Sequence, residues 1–289
     1  MSFLEIKDLS YRFEDGTEAL DGVTISVEKG EFAGLLASNG GGKTTLLRSI
    51  VGLLKSKPGS ILIDKKPLDK MGRTGLSSKI GLVFQNPSDQ LFASTVEEDV
   101  EFGPRNLGLS EGEITERVKS SLELVDLMSC AKKPIHHLSF GQQKRACIAG
   151  VLAMRPEILL LDEPTAGLDP KSESKLLYVL GRLNKEAGIT IIIATHMVDL
   201  MPLFVDRIYV LKEGKLAIKG TPEVVFSSTQ VMEGVDLRLP YITHLIEELK
   251  HKDHLPLDEL PLTIKDARSK LVSLIPQNIL TVKESIRLS

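Results

Sequence analysis

Apolar and polar residues alternate through the first two stretches of the chain. In residues 2–11 the apolar positions are Phe3, Leu4, Ile6, Leu9 and Tyr11, and residues 22–27 repeat the pattern, with Glu14-Asp15-Gly16 as a turn between them. Period-two patterning predicts half-buried strands, here an antiparallel pair. Residues 32–36, 59–63 and 80–84 are further short strands, the last ending in the turn signal Gln85-Asn86-Pro87. From Thr95 the period becomes helical. Thr95 with Glu98, ahead of Val96, Val100 and Phe102, has the form of a capping box, and Ser110 with Glu113 repeats it ahead of Ile114, Val118 and Leu122.

Residues 141–154 predict one more helix, and 158–161 form a continuous apolar run ending in Asp162 and Glu163, as a parallel strand buried on both faces requires. An amphipathic helix over 171–185 and an apolar strand over 190–194 follow, and 208–211 with 216–219 make a hairpin around Glu213-Gly214. Strands alternating with helices, each strand ending in polar residues, predict a layered α/β core whose ligand sits at those ends. Beyond Thr221 the character shifts. Thr221-Pro222-Glu223 starts a short helix, 241–250 is a second, and the rest, with Pro256, Pro261 and Pro276, is too apolar for disorder and reads as a small appended domain.

With 289 residues, 42% of them apolar and 26% charged, the composition is that of a folded soluble protein. Glu5, Lys7 and Asp8 exclude a signal peptide at the start, and no apolar run approaches the roughly 18 residues of a membrane span. A membrane role would therefore run through a partner. A net charge of −3 without a basic block argues against nucleic acid as a partner. Cys130 and Cys147 lack metal-ligand spacing and read as buried thiols in a reducing compartment.

The candidate chemistry centres on residues 35–47, LLASNGGGKTTLL. A strand running through Gly40, Gly41 and Gly42 into a helix is a phosphate cradle, because bare backbone N–H groups curl round an anion and the helix adds its positive dipole end. Lys43 would reach the β- and γ-phosphates, and the Thr44 hydroxyl would ligate Mg²⁺. Ala37 stands where the strict P-loop has glycine, which costs nothing if its φ is negative and about 1 kcal/mol if it is positive. The second element is LLLDEP, residues 159–164. Asp162 can hold Mg²⁺ directly or through a water, and Glu163 is placed to polarise an attacking water.

Residues 138–145, LSFGQQKR, resemble the signature motif of ATP-binding-cassette ATPases. In register with it, Gln85 matches the Q-loop glutamine, Ala166-Gly167-Leu168-Asp169 the D-loop, His196 the switch histidine and Tyr11 the aromatic residue that stacks on adenine. The resemblance covers residues 3–221. It implies an α/β P-loop NTPase fold, a RecA-like core with an antiparallel β subdomain and an α-helical subdomain at about 95–154, together forming a nucleotide-binding domain over 1–221. The C-terminal extension, 222–289, is then expected to support ATPase pairing. The implied ligands are ATP and Mg²⁺. ATP contacts fall on Tyr11, Ala37, Ser38, Asn39, Gly40, Gly41, Gly42, Lys43, Thr44 and Thr45, with Ser139, Gly141 and Gln142 gripping the ATP of a second subunit facing head to tail. Thr44, Gln85 and Asp162 are the implied metal ligands, and Glu163, His196 and Gln85 the catalytic set. Phe140 departs from the usual LSGGQ, adding bulk beside the signature amides but leaving Ser139 and Gly141 in place.

Residues 84–109 and 195–215 further resemble the ATPases of energy-coupling-factor importers, especially the cobalt and nickel type. That implies an ATPase at the cytoplasmic face of the membrane, paired as a homo- or heterodimer on an integral membrane subunit and driving uptake of a transition-metal ion or vitamin. The rival readings are another importer class, for amino acids or peptides, and a non-transport cassette ATPase of DNA repair or translation. The latter usually carry two cassettes, coiled-coil insertions, zinc modules or basic linkers, and the sequence shows none of these. His136, His137, Asp89 and Gln90 read as structural, and Phe92 and Phe102 as core or as part of a groove that receives the membrane subunit.

Overall fold

The computed structural model describes residues 2–257 and 259–275, so the end of the predicted extension, with Pro276, lies outside them. The alternating N-terminal stretches are β1 (Ser2–Arg12) and β2 (Glu18–Glu28), paired antiparallel. With β3 (Phe32–Leu36), β4 (Ile61–Ile63), β5 (Lys66–Pro67), β6 (Ile80–Val83), β7 (Ile158–Asp162), β8 (Thr190–Thr195), β9 (Arg207–Lys212) and β10 (Lys215–Gly220) they make two sheets. The smaller has the order β2-β1-β4-β5 and the larger β10-β9-β3-β8-β7-β6. In the larger sheet every neighbouring pair is parallel except the β9–β10 hairpin, turned by Glu213 and Gly214, both at positive φ.

The helices are α1 (Lys43–Ile50), α2 (Arg73–Ser77), α3 (Val96–Asn106), α4 (Glu111–Leu124), α5 (Phe140–Leu152), α6 (Pro170–Ala187), α7 (Met201–Phe204), α8 (Pro222–Ser227), α9 (Thr229–Gly234), α10 (Tyr241–His251) and α11 (Ile264–Leu274). The large sheet divides two cores. Leu159, Leu161, Ile191 and Ile193 join α3 to α6 in one core, whereas Ile158, Leu160, Ile192 and Ala194 face β1, β2 and α1 in the other. All residues of β7 and β8 are buried, which is why both read as unbroken apolar runs. Each fully buried leucine or isoleucine contributes about 1.5–3 kcal/mol, so these strands anchor the carboxylates at their ends firmly.

Three local differences from the sequence reading have physical causes. β4 starts at Ile61 because Gly59, at φ 77, turns the chain just before it. The Thr95 capping box forms in full, but at Ser110 only half does: Ser110 Oγ accepts from Glu113 N, while the Glu113 carboxylate is drawn to Arg117 at 2.7 Å. The sequence patterns predict none of the short helices α2, α7 and α9, nor α11. The start of α11 is nevertheless signalled by Thr263, whose hydroxyl accepts from Asp266 N at 3.1 Å.

After residue 221, Val225, Phe226, Met232, Val235 and Leu237 pack into the core on the α6 side of the sheet, while Ile246, Leu257 and Ala267 form a small cluster of their own. Asp199, in the loop after β8, ties this region down. It pairs with Arg238 and accepts from Tyr241 N at 2.8 Å.

Candidate nucleotide site

The loop between β3 and α1 owes its shape to its glycines. Gly40 and Gly42 sit at φ 79 and 99, where a side chain is strained. A Cβ on Gly41 would lie 2.7 Å from Ala37 Cβ, and one on Gly42 2.7 Å from the Ala19 carbonyl oxygen. Ala37 itself is buried and keeps a negative φ, so its methyl group costs the loop nothing. Ser38 is half-buried and Asn39 exposed, and Thr45 is buried with its carbonyl accepting from Ser49 Oγ at 2.8 Å. Lys43 Nζ turns back over the loop, donating to the Ala37 carbonyl at 2.7 Å and the Ser38 carbonyl at 3.3 Å. Tyr11 pairs across the strands with Leu20, whose side chain borders Gly42, and it packs edge-on against Phe13.

Two carboxylates stand opposite this loop at the end of β7. Asp162 Oδ2 accepts from Thr44 Oγ1 at 2.7 Å, while Oδ1 is buried without a hydrogen-bond partner. Burial pushes its carboxyl above the ordinary aspartate value. Glu163 has a left-handed backbone, φ 46. Its Oε1 lies 2.9 Å from His196 Nδ1 and 3.5 Å from Lys43 Nζ, and its Oε2 accepts from Thr195 Oγ1 at 3.1 Å. Its carbonyl accepts from Lys144 Nζ at 2.7 Å. Lys144 is buried, and desolvation pulls its ammonium below the ordinary lysine value.

The fold thus brings Lys43, Thr44, Asp162, Glu163 and His196 to one point. Gln85 is not joined to them: it stands exposed just past β6, with no side-chain hydrogen bond among the described residues. Ser139 and Gln142 cap each other at the start of α5, Gln142 N donating to Ser139 Oγ and Gln142 Oε1 accepting from Ser139 N. Among the described residues they and Gly141 make no hydrogen bond to the loop at Lys43. Sequence reasoning missed Lys144 and Thr195. Thr195 is signalled only by lying between the apolar run of β8 and His196. Lys144 carries no signal, since a lysine in a polar-looking stretch reads as solvated.

A family model described as ABC transporter matches residues 20–166, from β2 through both carboxylates. The chain belongs to the ABC transporter family. It is an ATP-binding-cassette ATPase, the ATP-binding and hydrolysing subunit of an importer of the energy-coupling-factor type. The energy-coupling factor transporter ATP-binding protein EcfA of Methanocaldococcus jannaschii is 48% identical over 279 residues, 96% of this cassette and 99% of the relative. Among solved structures, cbiO1 of Clostridium perfringens, described as part of the ABC transporter complex cbiONQ, is 46% identical with TM-score 0.73, covering 85% of this chain and 99% of that one. The dimeric bacterial ABC transporter cassette MJ0796 is 30% identical with TM-score 0.69, covering 76% and 98%.

Proposed function

We propose that this cassette works in a pair at the cytoplasmic face of a membrane and drives a transport subunit that takes up a transition-metal ion, cobalt or nickel in preference to a vitamin. The cargo rests on residues 84–109 and 195–215, which resemble the cobalt and nickel type of energy-coupling-factor ATPase. The chemistry rests on Glu163, whose carboxylate lies between His196 and Lys43 at the end of β7. Glu163 is the general base that takes the proton of the attacking water. Thr195 and His196 fix its two oxygens, and Lys43 binds the β- and γ-phosphates. Tyr11 lies beneath the adenine, and Ala37 to Thr45 wrap the phosphates.

The orphaned Asp162 Oδ1, beside a carboxylate oxygen already joined to Thr44, fits a hard oxygen-seeking cation. Thr44 and Asp162 would hold Mg²⁺, with Gln85 contributing from the loop after β6, and the ion would neutralise phosphate charge. Ser139, Gly141 and Gln142 act across the interface, on the ATP of the facing subunit. ATP then joins the two subunits and its hydrolysis releases them, a bistable closure that a membrane partner can follow. The exposed pair Phe92 and Phe102, edge to face at 4.6 Å, suits the groove for that partner. Exposed Tyr241 and Leu245 on the extension, together with Leu203 of α7 beside them, offer an apolar face for pairing. Among the described residues no helix is long and apolar enough to cross a membrane.

The test is the mass of a Glu163→Gln variant in solution with and without Mg-ATP. We expect ATP binding to persist, turnover to fall by about 10²- to 10⁴-fold, and the mass to move from monomer to dimer. Turnover near wild type removes Glu163 from the role. Tight ATP binding without a mass shift assigns the facing site to a different partner chain.

A further inference from the structure

Lys144 lies in the second turn of α5, the helix whose first residues are proposed to read the facing subunit's nucleotide, yet its side chain points into its own subunit. It is 3% exposed and donates to the Glu163 carbonyl at 2.7 Å. Among the described residues no carboxylate comes within ion-pair distance of it. Its buried charge is met instead by that carbonyl and by the Phe140 ring, whose centroid is 5.4 Å away. For packing alone, a buried ammonium is a costly choice over methionine or leucine, because the charge must be stripped of water.

The carbonyl it holds belongs to a strained residue. A non-glycine residue at φ 46 persists only where its surroundings fix it, and such positions cluster at working sites. The Glu163 peptide is fixed on both sides: its N–H donates to Ala194 O at 2.8 Å, and its carbonyl accepts from Lys144 and, at 3.2 Å, from Ala166 N. Phe140 extends the cluster, its ring so close to Gly167 that a Cβ there would lie 3.0 Å from Cε1. The start of α5, the loop at Gly167 and the backbone of Glu163 are therefore one packed unit.

We propose that Lys144 is a positioning residue for Glu163, the strut by which the helix that reads the facing subunit's nucleotide sets the backbone of its own subunit's general base. The proposal rests on the roles given above to Glu163 and Ser139. It also gives the bulky Phe140 a purpose, as the lid over the strut's ammonium.

Two variants of the full chain test it. Lys144→Met keeps the length and loses the donor, and Lys144→Gln keeps an N–H that can reach a carbonyl. For Lys144→Met we expect kcat for ATP hydrolysis to fall by about 10- to 10²-fold while KM moves by less than about twofold, since a small misplacement of a reacting group has effects of this size. Lys144→Gln should recover part of the loss, with both variants binding ATP and melting close to wild type. Wild-type kcat in Lys144→Met, a rise in KM alone, or a fall in kcat that only follows lost folded protein overturns the proposal. If neither variant folds, the lysine is structural and the proposal falls. Glu163→Gln, assayed alongside, separates the two layers: turnover surviving there removes the reading of Glu163 as base, whereas an inactive Glu163→Gln with a fully active Lys144→Met removes the strut alone.

Discussion

The methyl group of Ala37 and the hydrogen of Gly41 share one small volume, and only one of the two positions can carry a Cβ. Gly41→Ala should weaken ATP binding more than about tenfold, roughly 1.4 kcal/mol, and Ala37→Gly combined with it should restore part of the affinity. Equal affinities for the single and double variants, measured by titration with a fluorescent ATP analogue, would show that the Ser38 carbonyl, 3.1 Å from the added Cβ, is the true obstacle. Asp162 makes a different trade. Burial raises its carboxyl above 3.8, so the folded protein holds the proton more tightly than the unfolded chain. Its contribution to stability therefore falls as pH rises from that ordinary value through the raised one, and the cost is complete above it. Asp162→Asn should accordingly raise the melting temperature of the nucleotide-free protein at neutral pH and, on the Mg²⁺ role proposed for it, abolish any further rise on adding Mg²⁺ with ATP. A lower melting temperature would mean that the Thr44 hydrogen bond outweighs the burial cost.

At the scale of elements, the side chain of Gln90 joins two that the sequence leaves unrelated. Its Oε1 accepts from Phe84 N at 3.1 Å and its Nε2 donates to the Cys147 carbonyl at 3.2 Å, stapling the end of β6 to α5. Gln90→Leu would leave the Phe84 N–H unpaired, and we expect a loss of about 1–3 kcal/mol in urea unfolding. Unchanged stability would mean that water replaces the staple. Read from the sequence, Gln90 was structural but without a stated partner, because the residue it reaches is nonlocal. Cys147, beside it, is a buried thiol pushed up to about 12 by desolvation, in keeping with an unreactive packing residue. Periodicity revealed β3, β7, β8 and α6 because burial on a fixed face leaves a trace in residue order. The half-formed box at Ser110 left none, since Arg117 competes for Glu113 only once α4 has wound.

For the whole molecule, the order of motifs and their shared site at the strand ends were legible, but the contacts that fix that site were not. Lys43, Asp162 and His196 lie far apart in the chain, and only strand order brings them together. Lys144 was hidden because its partner is a backbone carbonyl, which no side-chain pattern records. The same strand order has a consequence for synthesis. β1 and β2 are joined by a short turn and can pair as soon as they leave the ribosome. β3, which carries the phosphate loop, has β8 and β9 as its neighbours in the sheet. Until β8, residues 190–195, has emerged it has no neighbour in its sheet, and of the earlier strands of that layer only β6 and β7 can pair with each other. Pairing over such separations is slow and prone to association with other chains. The stretch that defines the enzyme is thus among the last to acquire its final setting, and a nascent chain arrested before β8 holds the complete phosphate-loop sequence without the sheet that shapes it.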